Sequence, residues 1–257
     1  MSIKNQILCR LNQCTLAILM SLSVLCFNQS NAATIYVKHN ASGSNNGTSW
    51  TNAYTSLQSA ISNASSGDEV WVAAGTYKPS AYPVGRTTSD TREYAFYLES
   101  GVEYYGGFAG TETLRSQRDY ENNVTILSGD ISGSNCYHVL VSANESSVVL
   151  DGFTVTAGYA NGGVNATING QSGFWTNNGG GIFTYGTTMT IANCTISNNT
   201  AGYGGAMKLT SGNTTISNTS FTSNNGTAHA GAIDLSGTLV VSGCTFTSNT
   251  TATGSNG

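Results

Sequence analysis

The sequence is poor in charge. Only 9% of its 257 residues are Asp, Glu, Lys or Arg, against about 25% in an ordinary soluble domain. Lys and Arg total 9 against 13 Asp and Glu, so no basic patch is available to neutralise phosphates, which argues against nucleic acid as a partner. No basic amphipathic stretch suits a membrane surface. There are 2 Pro and 6 Cys. The cysteines are scattered and match neither a disulfide framework nor a zinc motif. Between residue 152 and the last residue the only charged side chains are Lys208 and Asp234.

What is present is Gly, Asn, Ser and Thr, with 39% hydrophobic residues recurring in a pattern. The pattern argues for a folded chain with many tight turns, not for disorder. Residues 1–32 read as a secretory signal peptide. Lys4 and Arg10 form the positive region, Cys14 to Phe27 the apolar region, and Ser30-Asn31-Ala32 the cleavage site, placed after Ala32. Leu25 stands before Cys26 where a lipid anchor would need a small residue, so plain export is the expectation. Beyond Ala32 the chain carries net charge −6 and keeps Cys136, Cys194 and Cys244.

An internal repeat decides the fold class. Ile191, Ile216 and Val241 lie 25 residues apart, as do Ile196, Phe221 and Phe246, and Asn199, Asn224 and Asn249. An earlier copy at Leu150, Phe153 and Val155 is displaced by 41, which implies an insertion of 16 residues. A second motif recurs as Gly180-Gly181-Ile182-Phe183-Thr184-Tyr185, Gly204-Gly205-Ala206-Met207-Lys208-Leu209 and Ala230-Gly231-Ala232-Ile233-Asp234-Leu235. Aligned on the second glycine, the apolar residues two and four places on alternate as in a strand with one face inward. Each period then holds three short strands. Gly152, Asn193, Asn218 and Gly243 share one column, which marks a bend with positive φ.

Three short strands per ~25 residues with tight bends is one coil of a parallel β-helix, in which stacking makes one continuous core. The sequence therefore predicts an all-β fold, a right-handed parallel β-helix with a short N-terminal capping helix. Tyr54, Leu57, Ala60, Ile61 and Ala64 fall on one helical face and would cover the open end. Asn199, Asn224 and Asn249 should form a hydrogen-bonded ladder at a turn, a reading preferred over a ligand role. Cys194 and Cys244 sit two coils apart, roughly 9.6 Å, too far for a disulfide. The expected organisation is signal peptide 1–32, cap and first coil 33–78, early coils with charged loops 79–145, and regular coils 146–257.

The segments Ser56-Leu57-Gln58-Ser59-Ala60-Ile61, Gly67-Asp68-Glu69-Val70-Trp71-Val72-Ala73-Ala74-Gly75-Thr76-Tyr77 and Leu150-Asp151-Gly152-Phe153-Thr154-Val155 resemble pectate-lyase-like right-handed β-helix repeat proteins. The Gly-Gly-Ala/Ile motifs resemble repeats of chlamydial polymorphic outer-membrane proteins. The resemblance spans roughly residues 34 to 257. It implies fold and export and leaves activity open, since this architecture serves many functions.

A lyase of that group would need a Lys or Arg base near an acidic Ca²⁺ cluster, and a hydrolase two or three carboxylates about the scissile bond. Lys208 and Asp234 share a column and should form an exposed ion pair on neighbouring coils. Asp130 and Asp151 adjoin glycines, as turn residues do. His39, His138 and His229 lack metal-ligand spacing, and the calcium-binding Gly-Gly-x-Gly-x-Asp repeat is missing, so no cofactor, Ca²⁺ included, is implied. The insertion between Ala157 and Asn178 is the best functional candidate. Its Tyr159, Phe174 and Trp175 would either stack on sugar rings or cover the side of the coil.

The expectation is a secreted or cell-surface β-helix protein, adhesin-like or a scaffold, binding glycans or cell-surface ligands without catalysis. The alternative is a polysaccharide lyase or glycoside hydrolase. Asn256-Gly257 falls one 26-residue step after Ala230-Gly231, inside the next Gly motif. On that basis the chain reads as a fragment, with an anchor or sorting domain expected downstream.

Overall fold

A computed structural model describes residues 32–252. Most of the expected signal peptide, and the last Gly motif at Asn256-Gly257, lie outside the described residues. The described chain is a right-handed parallel β-helix whose coils present up to four faces. Face I holds Phe96–Tyr97, Leu140–Ala143, Ile182–Tyr185 and the first halves of Met207–Ser217 and Ile233–Ser242. Face II runs from Thr34–Val37 through Glu69–Ala73, Glu103–Phe108, Val148–Asp151 and Thr188–Ala192 into the second halves of those two long strands. Face III stacks Gly75–Tyr77, Thr125–Ser128, Phe153–Thr156, Thr195–Ser197, Ser220–Thr222 and Thr245–Thr247.

Face IV is the strand that the repeat reading lacks. It holds Tyr159–Ala160, Thr200–Tyr203, Asn225–His229 and Thr250–Thr251. Small residues such as Ala201 and Gly226 face the core here, so no apolar alternation advertises this strand.

The 25-residue columns are real strand registers. Leu150 pairs with Ile191 and Ile191 with Ile216, while Val155 pairs with Ile196 and Ile196 with Phe221. All six are buried in one core, and each such Ile, Leu, Val or Phe contributes about 1.5–3 kcal/mol by leaving water. Phe221 and Phe246 stack with centroids 4.7 Å apart and planes 4° from parallel, which is the coil spacing itself.

The bends follow from chirality. Gly152, Asn193, Asn218 and Gly243 have φ of 82°, 51°, 48° and 62°, a region that Gly and Asn tolerate best. At the next corner Asn199 Nδ2 donates to Asn224 Oδ1 at 3.1 Å, and Asn224 Nδ2 to Asn249 Oδ1 at 2.9 Å. Asn199 and Asn224 are fully buried, so the ladder satisfies amides that water cannot reach. Cys136, Cys194 and Cys244 are free thiols.

The capping helix is shorter than its apolar spacing suggests, Leu57–Ile61, started by Ser56 Oγ accepting from the Gln58 amide. Leu57, Ala60 and Ile61 join the core beside Ile35 and Val37.

One expected register is displaced. Ile182, not Phe183, pairs with Met207, so Gly180 aligns with Gly205 and Gly231. Three glycines in a row, Gly179 to Gly181, leave the sequence alignment one residue of freedom. A one-residue slip turns every side chain to the other face. Ile182 and Thr184 thus point inward, and Phe183 and Tyr185 point outward beneath the insertion.

Candidate functional site

The insertion is a β-hairpin. Asn165–Ile168 and Gln171–Trp175 pair antiparallel about Asn169-Gly170, whose φ of 47° and 73° fit a primed two-residue turn. Asn169 Nδ2 ties the turn to the Ala143 carbonyl at 3.2 Å and to Glu145 Oε1 at 3.1 Å. Ala166, Ile168 and Phe174 face the solenoid and build a second apolar cluster with Tyr97, Val141, Ala143 and Phe183. Phe174 is fully buried, 4.7 Å from the Phe183 ring centroid, so its ring is part of this packing and faces no open surface. Trp175, one residue on, points the other way and is 43% exposed.

Tyr159 stands apart on face IV. Its carbonyl accepts from Arg92 Nη2 at 2.7 Å, and the guanidinium lies 5.8 Å from its ring centroid. Of the three insertion aromatics, Trp175 alone lines the cavity described next.

One outward column of face I reads Tyr97, Val141, Phe183, Lys208, Asp234. The hairpin covers Val141 and Phe183. Beyond it a shallow cavity of about 310 Å³ is lined by Trp175, Asn177, Asn178, Tyr203 and Lys208. Tyr203 is 40% exposed and pairs in register with His229 on the next coil, ring centroids 6.1 Å apart. Trp175 on the hairpin thus shares a cavity with Tyr203, and Tyr203 leads on to His229 one coil further. Tyr203 was missed because its strand is. The 26-residue step from Tyr203 to His229, each just before a Gly motif, is the signal that could have found it.

Lys208 Nζ meets Asp234 Oδ1 at 2.7 Å, as the shared column predicts, and Asp234 Oδ2 lies 3.9 Å from His229 Nδ1. The pair is not exposed as expected: its side chains are 14% and 13% accessible. Gly179 and Gly204, with φ of 55° and 67°, leave the space that the two stems fill, since a Cβ there would reach 3.0 Å from Lys208 Cβ and 3.1 Å from Asp234 Cβ. The result is an aromatic edge beside a matched pair of charges.

The other ionisable candidates are engaged in structural contacts. Asp130 pairs with Lys78 at the surface. Asp151 takes Arg118 Nη2 at 2.6 Å and Asn193 Nδ2 at 2.8 Å, and so anchors one loop to the bend column. A larger groove of about 410 Å³ follows that column, with Glu121 as its carboxylate. Glu99 and Glu145 share a further cavity. Burial, and then Glu145, raise the Glu99 carboxyl, while Glu145 accepts from Tyr97 Oη, Ser100 and Asn169. His138 is buried, and desolvation pushes its imidazole down to about 4. Among the described residues no group of three or more His, Cys, Asp or Glu is placed to hold a metal ion.

No protein-family model matches the chain, and no curated protein does. The likeness of its Gly-Gly motifs to polymorphic outer-membrane proteins therefore finds no support. Two solved structures are similar. Pectate lyase Pel9A is 17% identical with a TM-score of 0.48, covering 84% of this chain and 48% of its own. A rhamnogalacturonan lyase is 16% identical with a TM-score of 0.41, covering 83% of this chain and 56% of its own. The chain spans about half the length of each, and the likeness concerns the fold alone.

Proposed function

We propose that this chain is an exported, carbohydrate-directed β-helix protein that holds a polysaccharide at the hairpin's edge. The observation that carries the reading is the row Trp175, Tyr203, His229 beside Lys208 and Asp234. Trp175 and Tyr203 offer exposed apolar faces at one cavity, with the His229 ring 6.1 Å from that of Tyr203 on the next coil, and sugar rings carry C–H faces that suit them. The part-buried Lys208 ammonium and the Asn177 and Asn178 amides line the same cavity and supply directional donors and acceptors, the composition expected of a ligand site. Loops on a rigid solenoid are where such sites sit. Export rests on the N-terminal charge and apolar pattern.

Affinity gel electrophoresis against a panel of soluble polysaccharides tests this. At least one should retard the protein, and Trp175→Ala or Tyr203→Ala should weaken that binding about tenfold, which is about 1.4 kcal/mol. Retardation by none, or unchanged retardation of both variants, overturns it. The names of the two similar structures make polysaccharide cleavage the second reading, ahead of adhesion. Release of unsaturated chain ends, read by ultraviolet absorbance, would establish lyase chemistry.

A further inference from the structure

The same site also carries information about which polysaccharide it takes. We infer that it selects uncharged sugars over polyuronates, an inference that rests on the carbohydrate reading above. The argument concerns charge balance. Lys208 is the sole Lys or Arg from residue 152 onward, and Asp234 is the sole Asp or Glu after Asp151. They neutralise each other at 2.7 Å. The ammonium that could receive a uronate carboxylate therefore already holds one.

A second carboxylate at Lys208 would stand within a few ångströms of Asp234 and meet like-charge repulsion. That repulsion is strong where both partners are 13–14% accessible and water screens poorly. Ser236 Oγ is a further neighbour of the ammonium, at 3.5 Å. His229 is the other ionisable group facing Asp234, at 3.9 Å, and its side chain is 45% exposed. The wider field does not help a polyanion either, since the chain beyond Ala32 is net −6.

An uncharged sugar meets none of these costs. A hydroxyl can accept from the Lys208 ammonium and donate to an amide oxygen of Asn177 or Asn178, which line the cavity with it, so both halves of a hydroxyl's hydrogen-bonding capacity are met without a free charge. The Trp175 and Tyr203 rings take the apolar face, and the amides of Asn177 and Asn178 line the same cavity with neutral donors and acceptors.

The test compares polygalacturonate with its carboxyl-reduced form, which keeps the backbone and linkage and removes the charge, alongside a neutral galactomannan. Binding of the whole chain is read by affinity electrophoresis or calorimetry. The expected result is at least tenfold tighter binding of a neutral polymer than of polygalacturonate, with little dependence on salt. Asp234→Asn, which leaves Lys208 unmatched, should move the ratio toward polygalacturonate by tenfold or more and introduce salt dependence. Lys208→Met serves as the second variant and should weaken neutral binding without gaining the acidic polymer.

Equal or tighter binding of polygalacturonate by the unaltered protein overturns the inference and leaves the carbohydrate reading standing. Binding of no polymer at all overturns the carbohydrate reading, and the inference falls with it.

Discussion

Phe183 and Lys208 are register partners on neighbouring coils, in one outward column of face I. The first is fully buried and the second lines a cavity. The difference lies in what covers them. The hairpin covers the coil of Phe183 and ends at Trp175, so the same column changes from packing surface to cavity lining in one step. That step makes the hairpin's own attachment a test of the site.

Phe174 holds the hairpin down against Phe183 and Tyr185. Phe174→Ala removes a fully buried ring and should cost about 3–5 kcal/mol of hairpin attachment. Limited proteolysis should then cut near Asn169-Gly170 in the variant and not in the parent. Equal resistance in both would show that the ring is dispensable.

The asparagine ladder should tolerate little change. Asn224 donates to the Ile196 carbonyl at 2.8 Å and to Asn249, and accepts from Asn199. Asn224→Ala leaves buried donors and acceptors unpaired, so a loss of about 2–4 kcal/mol is expected in urea unfolding. Asn193→Gly keeps the positive-φ bend, which the column already makes with Gly in two other coils, and gives up the Nδ2 bond to Asp151, so its loss should be smaller than that of Asn224→Ala.

Gly205 is held between two backbones at the corner between faces IV and I. A Cβ there would fall 2.5 Å from both the Asn225 and Gly231 carbonyl oxygens. Gly205→Ala should destabilise by about 1–3 kcal/mol or more, because neither backbone can retreat without shifting a coil. A thermal midpoint equal to the parent's would contradict this.

His138 sets a pH dependence. Burial holds its imidazole near 4, below the ordinary 6.5, so between those values the unfolded chain binds a proton that the folded one does not. Its contribution is complete above about 6.5 and falls as pH drops, levelling off below about 4. The full span is about 3 kcal/mol. The difference in stability between the parent and His138→Phe, followed from pH 7 to pH 4, should change with this sign. A difference that stays constant with pH would remove His138 from the acid sensitivity.

Much of the fold was legible because a solenoid writes its geometry as columns. Ile191/Ile216/Val241 and Asn199/Asn224/Asn249 are fixed by stacking, and stacking demands a constant step. Face IV was not legible, because Ala201 and Gly226 fill its inward positions without any apolar contrast. The slip at Gly179-Gly180-Gly181 was hidden for a related reason. Both Ile182/Thr184 and Phe183/Tyr185 look like inward residues until the hairpin supplies a second hydrophobic surface outside the coil. For the site, Trp175 and the Lys208–Asp234 pairing could be read from composition and spacing. The burial of that pair could not, because it depends on two glycines of positive φ and on a neighbouring strand invisible in the sequence pattern.

The corner between faces IV and I has a use of its own. The hairpin leaves the solenoid after Tyr159–Ala160 and returns at Ile182, yet Leu150/Ile191 and Val155/Ile196 on either side keep perfect step. The corner is therefore a socket, where a length of chain can be exchanged without disturbing the stack. Replacing residues 163–176 with a hairpin of other sequence, keeping an apolar residue to face Phe183, offers a route to display new recognition loops beside coils that carry only Lys208 and Asp234 as charged side chains.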